Sequence, residues 1–157
     1  MAVLSAEVRS LLHDLVHRYA AAVDDRRFED AATLFTEPAE LWLPDPPRAL
    51  TAVQRVHGVE AILDALKQVS AFARTQHAIV GEVYSAAGDG ESAHGRVAGT
   101  ARHWRKTGEG AQAIVWHLRY DDHYRRTGED WKIESRRLTV DAIAIESVAR
   151  LREHESQ

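Results

Sequence analysis

The spacing of hydrophobic positions changes once along this chain, from a helical period in the first half to a period of two in the second. Val8, Leu11, Leu12, Leu15, Val16, Tyr19, Ala20 and Val23 recur at helical spacing, which predicts a first helix of about five turns with a broad apolar face. Ser5 suits its N-cap, and Glu7 in the first turn complements the helix dipole. After a turn at Asp25–Arg27, the residues Phe28, Ala31, Ala32, Leu34 and Phe35 suit a second, shorter helix. Glu40–Leu43 reads as a strand stopped by Pro44-Asp45-Pro46-Pro47. From there to about His57 no period is visible, which predicts a mobile loop. Gly58 opens a third helix with Val59, Ile62, Leu63 and Leu66 as its stripe.

From Thr75 onward alternation predicts four strands, Thr75–Ala86, Ser92–Lys106, Gln112–Arg126 and Trp131–Ile145. Three Gly-containing turn signals separate them, at Gly88-Asp89-Gly90, Thr107-Gly108-Glu109-Gly110 and Thr127-Gly128-Glu129-Asp130. The tail after Glu146 is expected to form a last helical turn or two, or to fray. Helices first and hairpin-linked strands afterwards indicate an α+β fold, with helices on one face of a mostly antiparallel sheet. The length of 157 residues suits one domain, expected to span 1–157.

The strand faces suggest where a ligand would sit. One face of Gln112–Arg126 carries Ile114, Trp116, Leu118, Tyr120, Asp122 and Tyr124, a pocket lining or simply a core. The other carries His117, Asp121 and His123, read as surface or interface. In Ser92–Lys106 the residues His94, Arg96, Gly99 and Arg102 break the pattern. Arg102 and His103 point opposite ways, so only one of them reaches a pocket.

Composition narrows the chemistry. The chain is 45% hydrophobic and 28% charged, with a net charge of -4, so it has no basic footprint for nucleic acid. It contains no cysteine, which excludes thiolate nucleophiles, disulfides and metal–sulfur sites. The N-terminal segment is interrupted by Glu7, Arg9, His13 and Asp14 and does not read as a signal peptide. No stretch approaches the roughly 20 apolar residues that span a bilayer, and a cytoplasmic location is expected. Nine histidines are the compositional oddity.

A carboxylate at the end of a buried helix needs a partner. For Asp24 the candidate is His77, in Thr75-Gln76-His77 at the head of a strand, with Tyr19 as a third member of one apolar pocket. Each also has a structural reading: His77 bonded to a carbonyl, Asp24 closing a turn, Tyr19 filling a core. Tyr19 and Asp24 are about 140° apart around an ideal helix, so their convergence requires the helix to end or loosen before Asp24. His13 and His17 have metal-compatible i, i+4 spacing, but no third ligand is evident and no metal is expected. Arg136-Arg137 is read as a salt-bridging pair.

Tyr19-Ala20 with Asp24, Leu34-Phe35, Thr75-Gln76-His77, Tyr120-Asp121-Asp122 and Trp131-Lys132-Ile133 followed by Arg136 and Arg137 occur in a distinctive order. In these the chain resembles the SnoaL-like branch of the NTF2-like superfamily, in particular its scytalone dehydratase and bile-acid 7α-dehydratase group. The resemblance covers roughly Val8 to Asp141. It implies a cone-shaped α+β barrel and a catalytic histidine–aspartate pair formed by His77 and Asp24, with Tyr19 at the position of a family tyrosine. Two further tyrosines of scytalone dehydratase fall on Val23 and at about Trp42 or Leu43, which implies a different substrate. A second pocket histidine falls beside Arg102 or His103, and a pocket asparagine falls on Tyr120.

Together these readings predict a cofactor-independent lyase or isomerase acting on a small hydrophobic cyclic molecule such as a steroid or aromatic polyketide. His77, Asp24 and Tyr19 are the expected catalytic residues, and Trp42, Trp116, Leu118, Tyr120 and His103 the expected substrate contacts. No nucleic-acid or membrane partner is expected, and a homodimer or homotrimer is. The alternatives are a non-catalytic ligand-binding module and a structural subunit similar to the dioxygenase β subunit.

Overall fold

The computed structural model describes residues 3–152. Three helices, α1 (Ala6–Asp24), α2 (Phe28–Ala32) and α3 (Val59–Lys67), pack on one face of a six-stranded sheet. The strands are β1 (Phe35–Asp45), β2 (Ala49–His57), β3 (Arg74–Ala86), β4 (Ser92–Thr107), β5 (Gly110–Thr127) and β6 (Asp130–Val148). A short 3₁₀ turn at Gln68–Ala71 follows α3. In the sheet the order is β2-β1-β6-β5-β4-β3. Every neighbouring pair is antiparallel except β1 with β6. The sheet is curved and does not close, the arrangement of an NTF2-like α+β cone.

The first helix begins where expected, with the Ser5 hydroxyl accepting the Val8 N–H at 3.1 Å. It buries Leu12, Leu15, Val16, Tyr19 and Val23 against the concave face of the sheet. Its C-terminus is set by Arg26, which adopts a left-handed φ of 61°. Such a residue ordinarily is glycine. Here the guanidinium offsets the conformational cost by donating to Thr75 Oγ1 at 2.9 Å and to the Phe72 carbonyl at 3.1 Å.

Three boundaries differ from the sequence reading. Leu34 and Phe35 do not continue α2; the helix ends at Ala32 and Phe35 starts β1, which is longer than Glu40–Leu43. The segment expected to be a mobile loop contains β2, antiparallel to β1, with Val56 opposite Leu41 and Arg55 opposite Trp42. As an edge strand with few buried positions, β2 lacks the apolar alternation that marks a core strand. The tail after Glu146, expected to form a last helical turn or two or to fray, instead extends β6 to Val148; the part of that expectation covering 153–157 lies outside the described residues.

The unclear alternation of β4 has a packing cause. Its inward positions are Ala93, Gly95, Val97, Gly99, Ala101 and His103, mostly small. A Cβ on Gly95 would lie 2.6 Å from the Tyr124 hydroxyl, and one on Gly99 would lie 2.8 Å from the Ala78 carbonyl oxygen. Gly95 therefore leaves room for the Tyr124 side chain of β5, and Gly99 for the close approach of the β3 backbone. That face of β5 is the one read from the sequence, with Leu118, Tyr120, Asp122 and Tyr124 all buried.

Candidate functional site

Between the helices and the concave face lies a cavity of about 210 Å³. Its walls are largely apolar, from Val23, Leu41, Leu66, Phe72, Leu118 and Leu138 among others, and the polar groups come chiefly from Tyr19, His77, His103 and Tyr120. An apolar cavity of about 150 Å³ accepts benzene, so this one has room for a ring compound.

On its wall, the last residue of α1 meets the start of β3. Asp24 Oδ1 lies 2.7 Å from His77 Nδ1, and Oδ2 accepts the His77 backbone N–H at 2.7 Å. Thr75, two residues earlier on the same strand face, donates its hydroxyl to Asp24 Oδ1 at 3.0 Å. Burial by itself raises the Asp24 pKa. The hydrogen bonds and charge of His77, with the Thr75 hydroxyl, outweigh it and hold the carboxyl below its ordinary value. An ionised carboxylate only accepts hydrogen bonds, so Nδ1 of His77 carries a proton, and in the neutral imidazole the lone pair is on Nε2.

The helix does not end before Asp24, as convergence with Tyr19 requires; it runs through it. Tyr19 and His77 both line the cavity, whereas Asp24 does not. The aspartate grips the imidazole from behind, and the two helix residues need not meet.

Deeper in, Tyr19 packs edge-on against Phe35 and Tyr120, with ring centroids 5.9 and 6.4 Å away. Burial raises its phenol pKa despite the opposing charge of Arg136, so the hydroxyl stays a donor at neutral pH. The Arg136 guanidinium sits between the rings of Tyr19 and Tyr120, 4.4 and 4.0 Å from their centroids. It is fully buried and makes a two-pronged ion pair with Asp122, at 2.8 and 2.7 Å. Tyr124 donates to the same carboxylate at 2.6 Å. The salt-bridging role read for Arg136 is thus met, inside the core.

Of the two candidates on β4, His103 faces the cavity and Arg102 faces outward, where it approaches Glu146 at 3.9 Å. The His103 ring lies 4.8 Å from Phe72 and 4.6 Å from Trp116. Burial pulls its pKa down to about 4, so it is neutral at physiological pH. Its Nδ1 lies 3.1 Å from the Ile114 carbonyl and must donate there, which leaves Nε2 as an acceptor. Because protonation is more favourable in the unfolded chain, this histidine stabilises the fold fully above its ordinary pKa near 6.5 and progressively less as pH falls toward 4. The loss across that window is on the order of 3 kcal/mol. Urea titrations at pH 7 and 4.5 should show it, and His103→Phe should flatten the difference. An equally stable wild type at both pH values would contradict it.

Trp116, Leu118 and Tyr120 also line the cavity, in the places expected of them. Trp42 does not. Its indole N–H donates to Glu40 at 3.0 Å, and its ring lies under Arg137, 4.3 Å from the centroid, and Arg55. Its neighbours Leu41 and Leu43 line the cavity instead, because strand alternation turns position 42 to the other face. Thr75 and Arg26, which buttress Asp24, were missed. The Thr75–His77 spacing on one strand face could have revealed the first; nothing local signals the second.

Among the described residues no helix is long and apolar enough to cross a membrane. No curated protein matches the chain. Solved structures do. Kfla4162 from Kribbella flavida is 26% identical over 89% of this chain and 95% of its own, with a TM-score of 0.74. A scytalone dehydratase-like protein from Novosphingobium aromaticivorans is 18% identical over 95% of each chain, with a TM-score of 0.73. A hexachlorocyclohexane dehydrochlorinase, LinA type 2, is 16% identical over 95% of this chain and 94% of its own, with a TM-score of 0.72. The two less identical structures establish the cone fold, and a family model for the SnoaL-like domain matches residues 5–137. With its helices and open curved sheet around a cavity, the chain belongs to the SnoaL-like domain family, on the NTF2-like fold.

Proposed function

We propose that this protein is a cofactor-independent lyase or isomerase that eliminates water from, or shifts a double bond in, a small hydrophobic cyclic substrate such as a steroid or aromatic polyketide. The observation that carries the reading is the 2.7 Å contact between Asp24 and His77 Nδ1 on the wall of an apolar cavity. The names of two structural relatives denote loss of water and loss of hydrogen chloride from ring compounds, both eliminations.

In this mechanism His77 Nε2 removes a proton from carbon next to a carbonyl group, and the freed electron pair forms the new double bond. The β-hydroxyl leaves with its bonding electrons and takes the proton back from the imidazolium as water. Asp24 fixes the tautomer and stabilises the imidazolium. Tyr19 donates to the carbonyl oxygen as negative charge grows there, and the guanidinium of Arg136 behind its ring opposes the cost of that charge. Neutral His103 accepts a hydrogen bond from a substrate hydroxyl, while Trp116, Leu118 and Tyr120 hold the apolar rings. The exposed valines Val80 and Val83 of β3 support the further reading that the chain forms a homodimer or homotrimer.

A panel of cyclic β-hydroxy ketones, steroidal and polyketide, tests the proposal through the absorbance of the conjugated product. Wild-type protein is expected to convert at least one member. Tight binding without conversion anywhere in the panel would favour a ligand-binding module.

A further inference from the structure

On the outer side of α1, away from the cavity, His13 and His17 have the third neighbour that their spacing alone did not reveal, supplied by the sheet. His13 Nδ1 lies 2.7 Å from Glu82 Oε2, and His17 Nδ1 lies 3.3 Å from Glu82 Oε1. One ligand-capable atom from each of the three residues falls within 4.8 Å of the others. We propose that His13, His17 and Glu82 bind one divalent transition-metal ion of the zinc type, clamping α1 to β3.

The donor set decides the class of ion. Two imidazoles and one carboxylate suit zinc, cobalt, nickel or copper, whereas calcium and magnesium prefer oxygen throughout. Around a tetrahedral zinc with bonds of about 2.0–2.2 Å, ligand atoms stand about 3.3–3.6 Å apart. The His17–Glu82 separation already lies in that range. The His13–Glu82 pair is closer because a proton now bridges it, and an ion in place of that proton pushes the two apart slightly. Loading also releases His17 Nδ1 from the His13 carbonyl, 2.8 Å away.

Two further features favour a site over a chance ion pair. The Glu82 side chain is 12% exposed, and the hydroxyl of buried Tyr84 donates to its Oε2 at 3.1 Å. That is the outer contact that orients a ligating carboxylate. The histidines are 61% and 43% exposed, so ions can enter and water can complete the coordination. Helix α1 carries Tyr19 and Asp24, and β3 carries Thr75 and His77. A bound ion would therefore lock together the two elements that present the candidate catalytic pair. The inference does not depend on the chemistry proposed for that pair.

The test is calorimetric titration of the full chain, stripped with chelator, with Zn²⁺, and a visible spectrum with Co²⁺. One ion per chain is expected, with a raised melting temperature and the intense absorption of a four-coordinate cobalt site. His17→Ala and Glu82→Gln should each weaken binding by at least about tenfold, the loss that an outer-contact change alone can cause. Both should keep the wild-type circular dichroism spectrum. A His94→Ala/His123→Ala variant, which removes another close histidine pair with rings 4.3 Å apart, should bind as wild type does. No saturable uptake by the wild type would overturn the proposal. So would unchanged affinity in the His17 and Glu82 variants, or loss confined to the His94/His123 variant.

Discussion

His77→Ala should lower turnover of any converted substrate by about 10²–10⁴-fold, the usual contribution of a positioned general base. Asp24→Asn should cost a comparable amount, up to about 10⁴-fold, for a different reason. The carboxylate accepts from the imidazole, the Thr75 hydroxyl and the His77 backbone N–H at once. An asparagine amide keeps the shape but offers only one acceptor oxygen. With its NH₂ toward Nδ1 it forces the proton onto Nε2, and the atom facing substrate can no longer act as a base. Ligand affinity should survive both changes, because the apolar walls are untouched. Tyr19→Phe should show a smaller loss in kcat, since Tyr19 supplies a hydrogen bond to developing charge and not the proton transfer itself. Steady-state kinetics on the active panel member, with thermal melts to confirm folding, distinguish these effects. Full turnover in both the His77 and Asp24 variants would sink the assignment.

Arg136→Met should destabilise the protein by about 3–5 kcal/mol, the penalty for stranding a buried charge. In a chain of this size that corresponds to a fall in Tm on the order of 10 °C. Arg136 and Asp122 are both fully buried and joined by two hydrogen bonds. Removing the guanidinium leaves the carboxylate, among the described residues, with the Tyr124 hydroxyl alone and takes the cation from between the Tyr19 and Tyr120 rings. The double variant Arg136→Met/Asp122→Asn keeps an acceptor for Tyr124 and buries no charge. It should be more stable than Arg136→Met alone. Thermal or urea denaturation of the three proteins checks this, and a single variant melting with the wild type would refute it. Because Tyr19 leans on this pair, Arg136→Met should also impair catalysis in the folded fraction.

Periodicity was enough to place α1, α3 and the four long strands, because an amphipathic helix or half-buried strand carries its own record of which residues lie on one side. Turn glycines marked the hairpins for an equally local reason. The inward face of β5 was legible because its large residues alternate strictly. The inward face of β4 was not, since Gly99 looks like an interruption beside His94, Arg96 and Arg102 until the Ala78 carbonyl is seen against it. Trp42 was misplaced by the opposite error: a large aromatic near the expected position of a pocket tyrosine was assigned to the pocket. It covers the outer face instead, under Arg137 and Arg55.

The amino-acid sequence by itself determined the α+β class, the order of α1, α3 and the four long strands, the SnoaL-like resemblance and the candidate trio of Tyr19, Asp24 and His77. Tertiary structure decided how the trio is arranged. It also decided that His103 and not Arg102 turns inward, that β2 is a strand, and that β1 lies parallel to β6. It brought Glu82 to His13 and His17, 69 and 65 positions away in the chain. Local spacing records which residues share a face. Which face is covered, and which carboxylate meets which imidazole, depends on strands and helices that the folded chain brings together from distant positions.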